Sequence, residues 1–375
     1  MKTLITGFFA LTLTACCAFG QAAKKPPVFT LAWSEYPSWS AIDVAKSVGL
    51  ISKNPNEQSE IEKRWGVKIV LKFMDYDPCI TAYSLKDADA VCITNIDVLS
   101  PSLGRKSVAI LPTSTSYGAD ALVVPKSVTT LEDLKGKKVF GLAKSVSEYA
   151  FTGILENNNA TTYNIAFTSM DPGAAANAVQ VRDKNVESIF VWNPFVLDTI
   201  KKMPNDMHIL ADSRQIPLEI LDMIVVGQDV LDRPGGENFA KALADVYYSL
   251  NARLADTSTR DDTLIAIGEK FSNLGLEDMR KVVDQTRFFG TPEVGIAVFA
   301  NQPISIGGIQ PTTLKDLMTN KVIPRAVALG IVDEKVKVGY GNDAEARKAD
   351  IRFDPQYMQA VTKFHAEPAV PAVSR

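Results

Sequence analysis

The chain of 375 residues is 46% hydrophobic and 22% charged, so it can bury a large core, and a wholly disordered protein is excluded. Its 40 basic and 43 acidic residues give a net charge of −3, and their mixing along the chain excludes a basic surface for a nucleic-acid backbone. The length exceeds the usual size of one domain and favours two lobes.

The first residues have the pattern of an export signal. Lys2 precedes an apolar run from Leu4 to Leu13, which is too short to cross a bilayer, so residues 1–25 are predicted to be a signal peptide rather than a membrane span. Leu13-Thr14-Ala15-Cys16 also resembles a bacterial lipobox, in which Cys16 would be the lipid attachment site. Ordinary cleavage after Gly20 is the alternative. Both versions predict an exported, periplasmic protein, and the first adds a lipid anchor.

Cysteine and histidine are too sparse to predict a metal site. Of the four cysteines, Cys79 and Cys92 lie beyond the signal, and an exported protein can join such a pair by a disulfide. Cys92 lies in an apolar run, however, so we interpret the two as buried thiols. The two histidines, His208 and His365, are far apart, and neither a metal nor a cofactor is expected.

After Pro27 the sequence alternates short apolar runs with helical periods, which is typical of sheets wrapped by helices. The predicted strands of the first unit are residues 29–33, 67–73 and 90–93. Apolar residues at helical spacing from Ala41 to Val48 predict a helix that ends at Gly49. Asp77-Pro78 is predicted to cap the helix that follows the second strand.

The alternation starts again in a second unit. Its predicted strands are residues 122–124, 139–142 and 189–191, with helices that begin near Ser147 and at Asp171-Pro172. Beyond an apolar run at 220–226 the chain turns helical, and residues from Phe239 to Leu254 share one face of a long helix. Residues 366–375 are predicted to be a loose tail.

Five segments together are diagnostic: Trp33-Ser34-Glu35-Tyr36-Pro37-Ser38-Trp39, Gly118-Ala119-Asp120, residues 130–139, Ser145-Val146-Ser147 and Val191-Trp192-Asn193-Pro194. This set resembles the nitrate, sulfonate and taurine family of ABC-transporter solute-binding proteins. It is most similar to the branch that accompanies urea-carboxylase-type gene clusters, which is associated with import of urea-like or guanidine-like compounds. The resemblance extends from about Phe29 to about Val226.

The resemblance implies an α/β, bilobal periplasmic-binding-protein fold of type II, with two lobes joined by two hinge crossings and a ligand clamped between them. We place the crossings near residues 117–122 and 222–226. The expected units are then lobe 1 (28–118), lobe 2 (119–225), and a return to lobe 1 with C-terminal helices (226–365). The resemblance also implies a monomer that delivers its ligand to the membrane permease of an ABC importer.

Acidic and aromatic residues collect where the predicted strands end and at the crossings. In open α/β sheets, ligands bind beyond the carboxyl ends of the strands. The predicted ligand-binding residues are Trp33, Glu35, Tyr36, Trp39, Asn95, Asp97, Tyr117, Asp120, Ser147, Glu148, Trp192, Asn193, Glu219 and Asp222. None is lysine or arginine, whereas an anion would need a bidentate arginine or a helix N-terminus. Carboxylates and aromatic faces suit a cation, so we expect a small nitrogenous, cationic or urea/guanidine-like ligand.

Structural roles compete with ligand binding at several of these positions. Trp33 and Tyr36 are equally suited to core packing, and Ser147 to a helix cap. Asp97 and Asp120 each adjoin an apolar strand, where a carboxylate needs a partner. A salt bridge to the basic pair at 105–106 would be such a partner.

Two other functions fit the same resemblance less well. One is a receptor for taurine or an alkanesulfonate, nitrate, or a thiamine-pyrimidine precursor. The other is a biosynthetic enzyme on the same fold, which would need a reactive side chain in the cleft. Both histidines fall outside the strand ends and there is no Gly-x-Ser-x-Gly motif, so the sequence favours a protein that is not an enzyme.

Overall fold

The computed structural model describes residues 25–271, 273–308 and 310–365. Residues 1–24 of the predicted signal peptide, among them Cys16, lie outside the described residues. The whole predicted tail lies outside them as well. Within the described ranges, no helix combines the length and the apolar character needed to cross a membrane.

The described strands are β1 (Val28–Trp33), β2 (Lys68–Phe73), β3 (Ala90–Thr94), β4 (Ser107–Ser116), β5 (Asp120–Pro125), β6 (Lys138–Gly141), β7 (Ala166–Ser169), β8 (Ile189–Trp192), β9 (Met207–Asp212), β10 (Leu221–Gly227), β11 (Thr286–Phe288), β12 (Val338–Tyr340) and β13 (Ile351–Phe353). The α-helices are α1 (Pro37–Ser47), α2 (Glu60–Trp65), α3 (Tyr76–Ser84), α4 (Leu99–Gly104), α5 (Val146–Asn157), α6 (Pro172–Gln180), α7 (Phe195–Lys202), α8 (Gln228–Leu231), α9 (Gly236–Ala255), α10 (Arg260–Lys270), α11 (Leu276–Gln285), α12 (Pro292–Phe299), α13 (Leu314–Leu317), α14 (Ile323–Ala328), α15 (Gln356–Gln359) and α16 (Thr362–His365).

The strands form two sheets, one in each lobe. The sheet of lobe 1 has the order β12-β13-β4-β10-β3-β1-β2, with β11 paired to β4, and the sheet of lobe 2 has the order β7-β6-β8-β5-β9. In lobe 1, β10 runs antiparallel to both of its neighbours, and in lobe 2, β5 does the same. Each of these antiparallel strands directly follows a crossing between the lobes. Each crossing therefore delivers a strand that has a neighbour on both sides in its sheet.

The second crossing differs from the prediction. The first joins β4 to β5 through residues 117–119, within the predicted region. The second joins β9 to β10 through residues 213–220, whereas the predicted crossing at 222–226 lies inside β10, hydrogen-bonded to β3 and β4. The boundary of lobe 2 placed at 225 is corrected accordingly. All seven residues of β10 are buried, which explains why an apolar run was the only signal there.

Helix starts follow the capping rules with two corrections. Asp171 caps α6 as predicted, accepting a hydrogen bond from Ala174 N at 2.9 Å. Asp77, in contrast, lies inside the first turn of α3, and Asp75 is the N-cap residue. Ser145 caps α5 through a 3.2 Å bond from Ser147 N. Ser147 is therefore not a cap, and another role is needed for its hydroxyl.

One central strand, β4, is absent from the sequence prediction. Its second half, Pro112 to Ser116, is polar and begins with proline, which is typical of a turn. The ladder between β4 and β10 is irregular at this point, because Asp222 pairs with Ser114 and the next residue pairs with Pro112. Because a bulge interrupts the ladder next to the proline, the N–H that proline lacks is not needed for a hydrogen bond between the strands. A polar segment that contains proline is therefore accommodated in a buried strand.

The long helix predicted beyond β10 is α9, and it packs on the core of lobe 1. Phe239 and Leu243 on its inner face are buried, and the Phe239 ring stacks on Phe29 of β1 with centroids 4.8 Å apart. Burying one such side chain contributes roughly 1.5–3 kcal/mol. Cys79 and Cys92 are buried free thiols in this lobe, as interpreted from the sequence.

Candidate functional site

A narrow cavity lies between the lobes, where strand ends from both sheets meet. Its lining consists of Tyr36, Trp39, Tyr76, Thr94, Asp120, Val146, Trp192, Ile220 and Asp222. No lysine or arginine is among these residues. Its free internal space is only about 10 Å³, so the cavity suits a ligand of few atoms at most.

Lobe 1 contributes most of the aromatic wall. The chain leaves β1 and starts α1 at Pro37, a residue preorganised for the first helical position. This start places Tyr36 and Trp39 side by side, with ring centroids 4.9 Å apart. Tyr76, at the start of α3, stacks on Trp39 at 5.6 Å with an interplanar angle of 18°.

Lobe 2 closes the wall from the opposite side. Asp120 begins β5 and pairs with Trp192 at the end of β8, so the two side chains enter the cavity from neighbouring strands. The Trp192 ring meets Tyr76 edge to face, with centroids 5.6 Å apart. Val146 completes this side at the N-terminus of α5. The four rings thus form one continuous wall that spans the cleft.

Two buried carboxyl groups, one from each lobe, are the charged groups of the cavity. Asp222 on β10 is 1% exposed and Asp120 on β5 is 2% exposed. Oδ2 of Asp222 accepts a 2.5 Å bond from Ser114 Oγ, whereas Oδ2 of Asp120 makes no hydrogen bond within the described residues.

Burial is the main cause of a raised pKa at both carboxyl groups. It raises the pKa of Asp120 to about 6 and the pKa of Asp222 well above its ordinary value, because a carboxylate loses solvation without gaining a cation. The charge of Asp120 adds to the effect on Asp222. Burial and then these two carboxylates also raise the pKa of Tyr36. A cation in the cavity would stabilise both carboxylates.

Further polar atoms of the cavity are buried without hydrogen bonds among the described residues. They are Oη of Tyr36 and Nε1 of Trp39, joined by Oγ of Ser147 and Oδ1 of Asn193 beside the lining. Each buried polar group without a partner costs about 1–3 kcal/mol, and such groups call for an explanation. Because they include both donors and acceptors, a ligand with N–H donors and a polar acceptor would satisfy several at once.

The folds of solved proteins agree with this two-lobed arrangement. The alkanesulfonate-binding protein of Xanthomonas axonopodis pv. citri, solved with MOPS, matches with a TM-score of 0.61 at 14% identity, covering 83% of this chain and 96% of that one. The periplasmic nitrate-binding protein of Synechocystis PCC 6803 matches with a TM-score of 0.58 at 10% identity, covering 92% and 90%. A Candida albicans protein described as exhibiting the generic periplasmic binding protein fold matches at 0.58 and 11%, covering 87% and 96%.

The chain has the periplasmic binding protein fold. The predicted bilobal α/β architecture is therefore confirmed. No protein-family model and no curated protein matches the sequence, and the identities to the solved structures are too low to carry more than the fold.

Within this periplasmic binding protein fold, five of the predicted ligand-binding residues line the cavity: Tyr36, Trp39, Asp120, Trp192 and Asp222. Ser147 and Asn193 directly follow lining residues and keep a polar atom without a partner. Their contact with a ligand stays a prediction.

Other predicted residues have polar atoms engaged by the protein itself. Asn95 donates to Glu219 O at 3.0 Å and accepts from Leu221 N at 2.8 Å, which fixes the second crossing. Glu219 accepts from Tyr149 Oη at 2.6 Å and pairs with Arg325 at 2.5 Å. The structure gives these two side chains a structural role instead of a place in the cavity.

Asp97 and Glu148 are likewise committed to protein partners. Asp97 accepts from Tyr76 Oη at 2.8 Å and from Val146 N at 2.9 Å, and burial raises its pKa to about 7. Glu148 accepts from Lys144 N at 2.6 Å. Asp97 thus supports two lining residues from behind.

Trp33, Tyr117 and Glu35 lie outside the cavity lining. The Trp33 ring packs on Phe73 at 4.8 Å, as the core-packing alternative expected. Tyr117 packs under Arg287, whose guanidinium carbon lies 5.1 Å from the ring centroid. Glu35 lines a wider chamber beyond the cavity.

The salt-bridge alternative for the two strand-end carboxylates is not observed. Arg105 pairs with Asp229 at 2.9 Å and donates to Tyr83 O at 2.6 Å. Neither Asp97 nor Asp120 forms an ion pair within the described part of the chain. Asp120 therefore keeps a buried oxygen without a protein partner.

The set of predicted ligand-binding residues leaves out four lining residues: Tyr76, Thr94, Val146 and Ile220. Tyr76 follows the second predicted strand and belongs to the strand-end positions, and Thr94 directly follows the third predicted strand, so the strand-end rule reaches both. Val146 and Ile220 are ordinary apolar residues, and only the closing of lobe 2 on lobe 1 brings them to the cavity.

The wider chamber lies next to the cavity, with Tyr76 and Trp192 as shared walls, and has a volume of about 310 Å³. Among the described residues, no basic side chain lines it, and four carboxylates do: Glu35, Asp75, Asp77 and Asp171. Burial, and then the charge of Asp171 in the opposite lobe, raises the pKa of Asp77. A negative chamber of this kind concentrates cations. The described residues contain no cluster of histidine, cysteine or carboxylate ligands arranged for a metal ion.

Proposed function

We propose that this protein is an extracytoplasmic solute-binding receptor of an ABC importer, which clamps a small nitrogenous ligand, cationic or urea/guanidine-like, between its lobes. One observation carries the proposal: Asp120 and Asp222 are buried in an aromatic cavity, and no basic residue in the described part of the chain lines it. The periplasmic binding protein fold supports the receptor role. No catalytic step is proposed.

Charge and shape together favour a planar cation. Its N–H groups would donate to Asp120 on one side and Asp222 on the other, in charge-assisted hydrogen bonds. Its faces would lie against the aromatic wall, where each cation–π contact contributes roughly 0.5–2 kcal/mol. A neutral urea-like ligand could donate its N–H groups to the same carboxyl oxygens and accept a hydrogen bond at its carbonyl oxygen from whichever carboxyl group carries a proton.

An anionic ligand is the alternative, since solved proteins of the same fold include alkanesulfonate-binding and nitrate-binding proteins. A sulfonate or nitrate in this cavity would face two carboxyl groups with no arginine or lysine on the lining. Like charges at close range are costly in a dry site. The carboxylate pair therefore argues against the anion.

The position of the two carboxylates suggests how binding drives closure. Asp222 belongs to the sheet of lobe 1 and Asp120 to the sheet of lobe 2, so a ligand held by both connects the lobes. Such a ligand binds the closed form better than the open form and shifts the equilibrium toward it.

A thermal-shift screen tests the ligand class. Guanidinium, urea-like compounds and small amines are expected to raise the melting temperature, because a ligand at a hundredfold excess over its Kd stabilises the folded state by about 2.7 kcal/mol. Taurine, alkanesulfonates and nitrate are expected to leave it unchanged. A shift with sulfonates and none with guanidinium would contradict the cationic site. Mass spectrometry of the ligand after incubation would detect any reaction, and we expect the ligand to be returned unchanged.

A further inference from the structure

Arg325, on α14 in the C-terminal part of lobe 1, is a buried arginine that reaches into the other lobe. It is 6% exposed. Its guanidinium pairs with Glu219 on the second crossing at 2.5 Å and with Glu156 on α5 at 2.8 Å. Its guanidinium carbon also lies 4.6 Å from the centroid of the Tyr149 ring, again on α5. One side chain thus connects lobe 1, the crossing and lobe 2.

A glycine on α5 makes this approach possible. A Cβ atom at Gly153 would lie 2.7 Å from Arg325 Nη1 and 2.9 Å from its Cζ, closer than real contacts allow. Any larger residue there would force the guanidinium or α5 to shift. The glycine in α5 therefore leaves room for the guanidinium.

Helix α5 is held to lobe 1 at both of its ends. At the N-terminus, Val146 N donates to Asp97 of lobe 1 at 2.9 Å. Near the C-terminus, Glu156 pairs with Arg325. The N-terminal attachment lies at the cavity itself, because Val146 is a lining residue. The C-terminal attachment lies away from it and does not involve a lining residue.

We propose that Arg325 is a positioning residue that latches α5 to lobe 1, holding the cleft closed and slowing ligand release without touching the ligand. Closure brings Glu156 to the guanidinium, which Glu219 already orients. Breaking the contact to Glu156 favours the open form, and a bound ligand then leaves faster, because an interaction that exists only in the closed state biases the equilibrium by its own free energy.

The test compares two matched variants, Glu156→Gln and Asp206→Asn. Glu156 is 45% exposed on its side chain and lies 2.8 Å from Arg325, across the cleft. Asp206 is 41% exposed and lies 2.8 Å from Arg182, within lobe 2. The two changes remove carboxylates of similar exposure from an arginine, but only the first pair crosses between the lobes, and its arginine is buried whereas Arg182 is exposed. Arg325→Met is less informative, since it leaves buried Glu219 without its cation.

The first measurement needs no ligand. Spin labels at Lys53→Cys in lobe 1 and Lys184→Cys in lobe 2, both exposed positions, report the distance between the lobes by double electron–electron resonance. Glu156→Gln should add a population at longer distance, whereas Asp206→Asn should match the parent. Identical distributions in all three proteins would overturn the latch, whatever the ligand is.

The second measurement uses guanidinium chloride as the probe in stopped-flow tryptophan fluorescence. Glu156→Gln should speed dissociation about tenfold with little change in association, and Asp206→Asn should change neither. An unchanged dissociation rate in Glu156→Gln would also overturn the latch. This second measurement rests on the proposed function. If guanidinium does not bind the parent protein, the proposed ligand class is refuted. The distance measurement still tests the latch in that case, because it needs no ligand.

Discussion

Asp120→Asn and Asp222→Asn are each expected to abolish most binding of a cationic ligand while the protein stays folded. Removing one charge from a desolvated charge pair costs about 2–5 kcal/mol, which is roughly a 30-fold to several-thousand-fold rise in Kd. Titration calorimetry with the compound that gives the largest shift in the thermal screen measures the loss.

The folding of these variants separates a binding role from a structural role. Burial already disfavours the charged form of Asp120, and an amide of the same shape has no charge to desolvate. Asp120→Asn is therefore expected to be at least as stable as the parent at pH 8 without ligand. A variant that loses both binding and stability would assign Asp120 to the fold instead.

Asp77→Asn is the matched control. Asp77 lines the outer chamber rather than the cavity, so its loss should weaken attraction of the ligand slightly and raise Kd by less than about threefold, the scale of a solvent-exposed charge interaction. If Asp77→Asn and Asp120→Asn raised Kd equally, the ligand would have to be placed in the outer chamber.

The ligand-free protein is expected to lose stability as the pH rises from 5 to 8. Burial raises the pKa of Asp120 to about 6 and of Asp97 to about 7, so above about pH 4 these two groups bind more protons in the folded state than in the unfolded state. Stability contributed by such a group is fully present below the unfolded pKa and is lost as the pH passes through the folded pKa. For the two groups together the loss is on the order of 3–4 kcal/mol.

Thermal unfolding measures this effect, since urea and guanidinium are themselves candidate ligands and unsuitable as denaturants. Between pH 5 and pH 8 the Asp120→Asn variant should lose about 1–2 kcal/mol less stability than the parent, because the amide cannot ionise. A saturating cationic ligand should flatten the pH dependence further, because it stabilises the carboxylate form and releases the proton. If the ligand-free protein were more stable at pH 8 than at pH 5, the inference that the buried carboxyl groups ionise without a cation beside them would be contradicted.

The sequence by itself determined the local features of this protein. Helix α6 begins where Asp171 and Pro172 place it, and the predicted strands of both units fall within or beside observed strands. Local chemistry suffices there, because caps and apolar periodicity act over a few residues. The strand-end rule likewise selected Tyr36 and Trp39, since strands of one sheet end at a common edge, and the predicted first crossing selected Asp120.

Only the tertiary structure decided which of the strand-end polar residues face the cavity. Asn95 and Glu219 resemble Asp222 in sequence context, but the second crossing and Arg325 take up their polar atoms. Those partners are more than a hundred residues away along the chain, so no local pattern can reveal them. The position of the second crossing and the polar strand β4 were decided in the same way, by pairing in a sheet. The meeting of Asp120 with Asp222 depends on both lobes at once, because each carboxyl group comes from a different sheet and only their approach creates a dry site between them.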